Sequence, residues 1–126
     1  MAGRTMAAAG DDPIAYLPLS PAVFHVMVSL GDGDRHGYAI IKDVAERTAG
    51  AQHLGAGTLY AILKRLLDDG LIAETRGADS DADDQRRRYY RLTPLGRRVA
   101  RAEVERLEQA IASARSSRLF GRTRSV

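Results

Sequence analysis

Apolar residues recur at helical spacing through much of this 126-residue chain, and each helical stretch has a recognisable start or stop. The first begins at Ser20-Pro21, a serine suited to capping free amides and a proline suited to the first helical position. Val23, Phe24, Met27, Val28 and Leu30 follow, and Gly31-Asp32-Gly33 breaks the run. So apolar a helix belongs in a core, and its role is support. A second helix is predicted from His36 to Thr48, with Ala39 or Ile40, Ile41, Val44 and Ala45 turned inward and Gly50 ending it. The third lies between Gly55 and Gly70. Leu59, Ile62, Leu63, Leu66 and Leu67 share its apolar face, and Thr58, Tyr60, Ala61, Lys64 and Arg65 occupy the rest. Tyr60 and Lys64 stand one turn apart, and no acid interrupts that surface before Asp68.

Beyond Gly70 the pattern changes. Residues 71–76 and 87–93 read as strands, joined by a polar stretch over 77–86 that is too long for a tight turn. Thr93-Pro94 repeats the Ser-Pro start and opens a long helix to about Ser116. Three short helices with glycine-rich joints, the last two close together, match a helix-turn-helix, and a two-stranded ribbon directly after it is a wing. The predicted fold is therefore mainly α with a small β-wing, a winged helix-turn-helix plus a long C-terminal helix. The chain divides into a disordered tail over 1–12, the winged helix over 13–93, the C-terminal helix over 94–116 and a basic flexible tail over 117–126. Ile14, Tyr16, Leu17 and Leu19 predict an arm that packs on the body.

In the last helix Ala100, Val104, Leu107, Ile111 and Ala114 recur at spacings of four and three, a narrow seam suited to a partner helix. Leu95, Val99 and Ala102 lie on a neighbouring face that turns toward the domain, while Glu103, Glu105, Arg106, Glu108 and Gln109 are the polar remainder. Three helices and a wing read as a complete body, so the seam predicts a homodimer.

Composition narrows the chemistry. Hydrophobic residues make up 44% of the chain, enough for a modest core, and the absence of Trp with only two Phe makes that core aliphatic. The lack of cysteine excludes disulfides and thiolate metal sites, and His25, His36 and His53 show no metal-ligand spacing, so neither metal nor cofactor is expected. No Ser/His/Asp arrangement or paired acids accompany a pocket-forming fold, and Gly31-Asp32-Gly33 is a turn, not a phosphate loop, which argues against an enzyme. No apolar run approaches the roughly 20 residues of a membrane span, and the N-terminus lacks the apolar core of a signal peptide. A soluble, cytoplasmic protein is expected. The net charge of +3 says less than its placement. Arg76, Arg86, Arg87, Arg88 and Arg91 crowd into one segment, and Arg115, Arg118, Arg122 and Arg124 into the tail. Arginine suits bidentate phosphate and guanine contacts. The tip between the strands is acidic, with Asp79, Asp81, Asp83 and Asp84, so the arginines nearer the strand are the better candidates.

His36-Gly37-Tyr38, the block from Gly57 to Leu66 (GTLYAILKRL), Gly70-Leu71-Ile72 and the block from Arg88 to Gly96 (RYYRLTPLG) together resemble the PadR family of winged-helix transcriptional regulators. The blocks cover about residues 17–112 in the expected order. The chain is similar to the shorter members, in which a single C-terminal helix builds the dimer. The resemblance implies a cytoplasmic homodimeric repressor that binds double-stranded DNA and is often released by a small molecule. Two departures stand out. The third helix of such proteins commonly starts with Ser and Pro, where this chain has Gly55 and Ala56. Short members with a drug-binding pore use a tryptophan of the C-terminal helix, and this chain has none, so that mode of ligand binding does not carry over.

A winged helix of this kind lays its third helix in a major groove while the wing holds phosphates. Thr58, Tyr60, Lys64 and Arg65 are then the candidate contacts on the helix, with Arg65 on its flank, and Arg86, Arg87 and Arg88 those of the wing. Strand alternation forbids all three wing arginines from facing one way. His36 and Tyr38 are assigned to a helix cap and to a core or interface aromatic. A small-molecule effector would fit an apolar cleft between the dimer's terminal and first helices, near Phe24, Met27, Val104 and Leu107. The rival reading is a winged helix that contacts proteins and not DNA.

Overall fold

The computed structural model describes residues 12–76 and 88–121. The expectations for residues 1–11, for the acidic stretch with Arg86 and Arg87, and for Arg122 and Arg124 lie outside the described residues. The elements are α1 (Pro21–Gly31), β1 (Arg35–His36), α2 (Gly37–Arg47), α3 (Ala56–Asp68), β2 (Ile72–Thr75), β3 (Tyr89–Leu92) and α4 (Pro94–Ser116), with 3-10 turns at Pro13–Tyr16 and Arg118–Phe120. This is the mainly α winged helix that the sequence predicts.

Local chemistry sets each helix start. The Ser20 hydroxyl accepts from the Val23 amide at 3.2 Å, with Pro21 opening α1. The imidazole Nδ1 of His36 accepts from the Ala39 amide at 3.2 Å, and its ring meets Tyr89 edge-on at 5.3 Å, so the structural role expected for His36 holds. Gly55 caps α3 without a side-chain bond. Thr93 opens α4, its hydroxyl accepting from the Gly96 amide at 3.0 Å. Helix α2 ends at Arg47, and Gly50 closes it as expected: at φ +85 its amide reaches back to the Ala45 carbonyl at 2.8 Å, while the Thr48 hydroxyl donates to the Val44 carbonyl at 2.8 Å.

One core joins all the helices. Val26, Met27 and Leu30 of α1, Ile40 and Val44 of α2, Leu59, Leu63 and Leu66 of α3, Leu71, Ile72, Tyr90, Leu92 and Val99 are each buried. The sheet has the order β1-β3-β2 and is antiparallel throughout, with Ile72 opposite Leu92, Glu74 opposite Tyr90, and Arg35 also opposite Tyr90. The third strand, β1, was not expected: Arg35–His36 is too short to leave a period in the sequence and is visible only through its partner.

Two glycines fix how α3 passes into the sheet and α4. Gly70 takes φ +75, a region open to glycine, and so lets the Leu71 amide reach back to the Leu66 carbonyl at 2.9 Å. Gly96 lies against the Leu71 carbonyl so closely that any side chain there would overlap backbone. The Thr93 hydroxyl donates to the Gly70 carbonyl at 2.7 Å, and the Thr93 amide to the Leu71 carbonyl at 3.1 Å. The end of α3 and the start of α4 are thus joined backbone to backbone.

Helix α4 corrects the expectation of a body complete without it. Gly96, Val99 and Glu103 are buried, and Leu95 and Ala100 pack against the common core. The inner half of α4 therefore belongs to the winged-helix core, and Ala100 faces its own protomer more than the outer seam. Glu103, read as surface, is 1% exposed. Its carboxylate accepts from the Leu19 amide at 3.2 Å and from Arg106 at 2.6 and 2.9 Å, tying the arm before α1 to α4. These Arg106 bonds hold the Glu103 pKa below its ordinary value, outweighing the opposing effect of burial. Met27, expected to line a ligand cleft, is fully buried and offers no surface to a ligand in the protomer. Phe24 is half-buried, its ring against His25 at 5.5 Å.

Candidate nucleic-acid interface

The outward face of α3 is made by elimination: once Leu59, Leu63 and Leu66 are sealed, helical geometry turns Thr58, Tyr60, Ala61, Lys64 and Arg65 to the surface, and all five are exposed. Tyr60 keeps half of its surface open. Between this helix and the sheet runs a groove of about 350 Å³, floored by Leu63, Leu67 and Tyr90 and edged by Tyr60, Lys64, Asp68, Glu74 and Arg88. The register that sets Glu74 opposite Tyr90 brings Arg88 beside Glu74, at 3.1 Å.

The structure therefore brings Tyr60, Lys64 and Arg88 to one groove, with Thr58 exposed on the first turn of the same helix. Arg65 is elsewhere: it lines a separate cleft with Tyr16, Ser20, Val23 and Asp69, on the side of α3 that faces the arm. Arg91, next to Arg88 in β3, points away from the groove and pairs with Asp34 at 3.0 Å, fastening the wing to the turn before β1. Tyr38, assigned to a core or interface position, is 70% exposed on the first turn of α2.

Both groove cations carry an acid. Lys64 stands 3.4 Å from Asp68, one turn on, and Arg88 pairs with Glu74. Exposed pairs of this kind contribute about 0–1 kcal/mol. Exchange of a carboxylate for a phosphate oxygen therefore costs little. Asp68 was visible at the i+4 spacing; Glu74 was not, because cross-strand partnership depends on register.

A second charged cluster was missed. Arg47 bonds Asp43 at 2.7 Å and also reaches Asp32, while Arg35 lies 3.6 Å from Asp43 and donates to the Ser29 carbonyl at 2.9 Å. Burial raises the Asp43 pKa, but the Arg47 hydrogen bond and the two guanidinium charges outweigh it and the net direction is down. These residues pin the corner between α1 and α2, and so the platform on which α3 rests. Of the contacts, only Asp43 to Arg47 had a sequence signal, the i+4 spacing.

The model of the Transcriptional regulator PadR-like family matches residues 26–102. The chain belongs to that family. The PadR-like chain is similar to a PadR family transcription regulator from Clostridium difficile, at 25% identity over 77% of this chain and 97% of that one, with a TM-score of 0.66. It is also similar to BpsR of Bordetella bronchiseptica, whose DNA binding is regulated by 6-hydroxynicotinic acid, at 25% identity over 88% of this chain and 81% of that one, with a TM-score of 0.58. An uncharacterised protein of Lysinibacillus sphaericus is 38% identical over 64 residues, 51% of this chain and 57% of that protein. The PadR-like chain thus spans little more than half the length of this relative. Among the described residues no helix is long and apolar enough to cross a membrane.

Proposed function

We propose that this PadR-like chain binds operator DNA sequence-specifically as a homodimeric repressor and that a small molecule releases it. The observation that carries the reading is the convergence of a phenol and two cations, Tyr60, Lys64 and Arg88, on one open groove beside α3. In the proposed complex α3 enters a major groove, Thr58, Tyr60 and Lys64 face base edges and phosphates, and Arg88 at the foot of the wing holds the flanking backbone. Phosphates displace Asp68 and Glu74 from their partners. Each phosphate neutralised steepens the fall of affinity with salt by about 0.9 in the logarithmic slope.

The dimer is built on the outer half of α4, where Val104 is 40% and Ile111 55% exposed, with Leu107 and Ala114 on the same seam. Two copies then present two α3 helices to half-sites about one helical turn, or a multiple, apart. Effector release is supported by the regulated DNA binding of BpsR. With Met27 sealed, the effector site narrows to the seam side of Phe24, Val104 and Leu107.

Footprinting on the region upstream of the chain's own gene tests the reading. The expected result is a protected segment containing a two-fold repeat. Absence of protection there and of binding to any promoter fragment at low salt favours the protein-contact reading.

A further inference from the structure

The His36-Gly37-Tyr38 block helped to place the chain in its family, yet the groove leaves the glycine without a role. Gly37 opens α2 and is buried. Its φ is not in the left-handed region, so the backbone there suits any residue. What glycine supplies is space. A methyl group on Gly37 would overlap the hydroxyl and Cζ of Tyr60, and would lie 3.4 Å from Leu59 Cδ2. The Tyr60 ring therefore leans across α2 at this point, its far end against bare backbone, while half of its surface stays open. Elsewhere on the outward face of α3, Lys64 has its side chain 78% exposed and meets only the end of another exposed side chain, Asp68, at 3.4 Å.

We propose that Gly37 is a positioning residue for DNA binding: it seats the Tyr60 ring in the pose that contacts the duplex. The inference rests on the DNA-binding reading above and adds to it a residue that touches no nucleic acid. A side chain held before encounter loses less conformational freedom on binding than one that must be ordered. With a methyl at position 37, the neighbour that must give way is the end of a rotatable side chain, not backbone, so the ring swings out and the fold stays. Alanine also favours the helix more than glycine does, so stability is maintained or slightly raised.

The test is a double-mutant cycle. Gly37→Ala is made in the wild-type chain and in a Tyr60→Ala chain, and binding is measured on the protected upstream duplex alongside thermal unfolding. Loss of one positioned hydrogen bond to a charged group is about a tenfold change in affinity, and that loss is expected for Gly37→Ala in the wild-type chain with no fall in melting temperature. In the Tyr60→Ala chain the same substitution is expected to change affinity by less than about twofold, because the residue it acts through is gone. Fluorotyrosine NMR, with the Tyr60 signal assigned by Tyr60→Phe, is expected to show that signal moving in Gly37→Ala and that of Tyr16, away from the groove, staying. Wild-type affinity in Gly37→Ala, an equal loss in both backgrounds, or an unmoved Tyr60 signal each overturns the proposal. A wild-type chain that binds no duplex instead overturns the DNA-binding reading, and with it the purpose assigned to Gly37.

Discussion

Helices α3 and α4 both carry an apolar stripe and a polar surface, but they satisfy them differently. In α3 the stripe is finished inside the protomer: Leu59, Leu63 and Leu66 are at most 2% exposed, and what remains outside is hydroxyl, phenol and cation, with a single acid, Asp68, at the helix end. That surface is content in water and exchanges water for phosphate at small cost. Helix α4 is finished only over its inner half. Val99 and Glu103 are sealed, whereas Val104 and Ile111 present aliphatic surface to solvent. An exposed polar face suits a polyanion, and an exposed aliphatic seam suits another protein surface. In the proposed assembly one chain thus keeps the face offered to DNA apart from the seam offered to a second copy.

Substitutions sharpen that contrast. The largest effect is expected inside α3, where Leu63→Ala should lower stability by about 2–5 kcal/mol in chemical denaturation, since the site is already sealed. On the outer half of α4, Ile111→Asp should leave the protomer folded but shift the sedimentation mass to that of one chain. Operator affinity should then fall by about two orders of magnitude as bivalency is lost. A folded, still dimeric Ile111→Asp protein would break the division between the helices. Next comes the inner half of α4. Glu103→Ala leaves the Leu19 amide without its acceptor and should cost about 1–3 kcal/mol. The folded pKa of Glu103 is depressed, so its stabilisation is complete above the ordinary value of 4.5 and is lost as pH falls through the lower folded value. Wild type and Glu103→Gln should accordingly converge in melting temperature on the acid side and separate toward neutrality. The smallest effect concerns the two faces of α3: Lys64→Ala should flatten the salt slope of DNA binding by about 0.9, while Arg65→Ala, on the arm side, leaves it unchanged. Equal flattening by both would show that the groove does not define the contact surface.

The helices and the ribbon were legible because their signals are local. Ser20-Pro21 and Thr93-Pro94 announce helix starts whatever surrounds them, and a leucine stripe declares its buried face. Residues whose roles depend on distant partners were hidden. Glu103 looks like any surface glutamate until the arm places the Leu19 amide beside it, 84 positions away in sequence. Strand β1 exists because β3 lies next to it, and Met27 is sealed because elements across the chain close over α1. In the groove, Tyr60 and Lys64 followed from helical spacing, whereas the separation of Arg65 from them required knowing where the arm runs.

The junction of Gly70, Leu71, Thr93 and Gly96 has a mechanical consequence. Main-chain atoms abut there at Gly96 and Leu71, and Thr93 bonds across through both its amide and its hydroxyl, so α3 and the root of α4 turn as one piece. In the proposed dimer, a twist applied where the two α4 helices cross is passed at this junction to the α3 helix of each copy. A ligand wedged at that crossing then has leverage over the gap between half-sites without ever approaching the DNA.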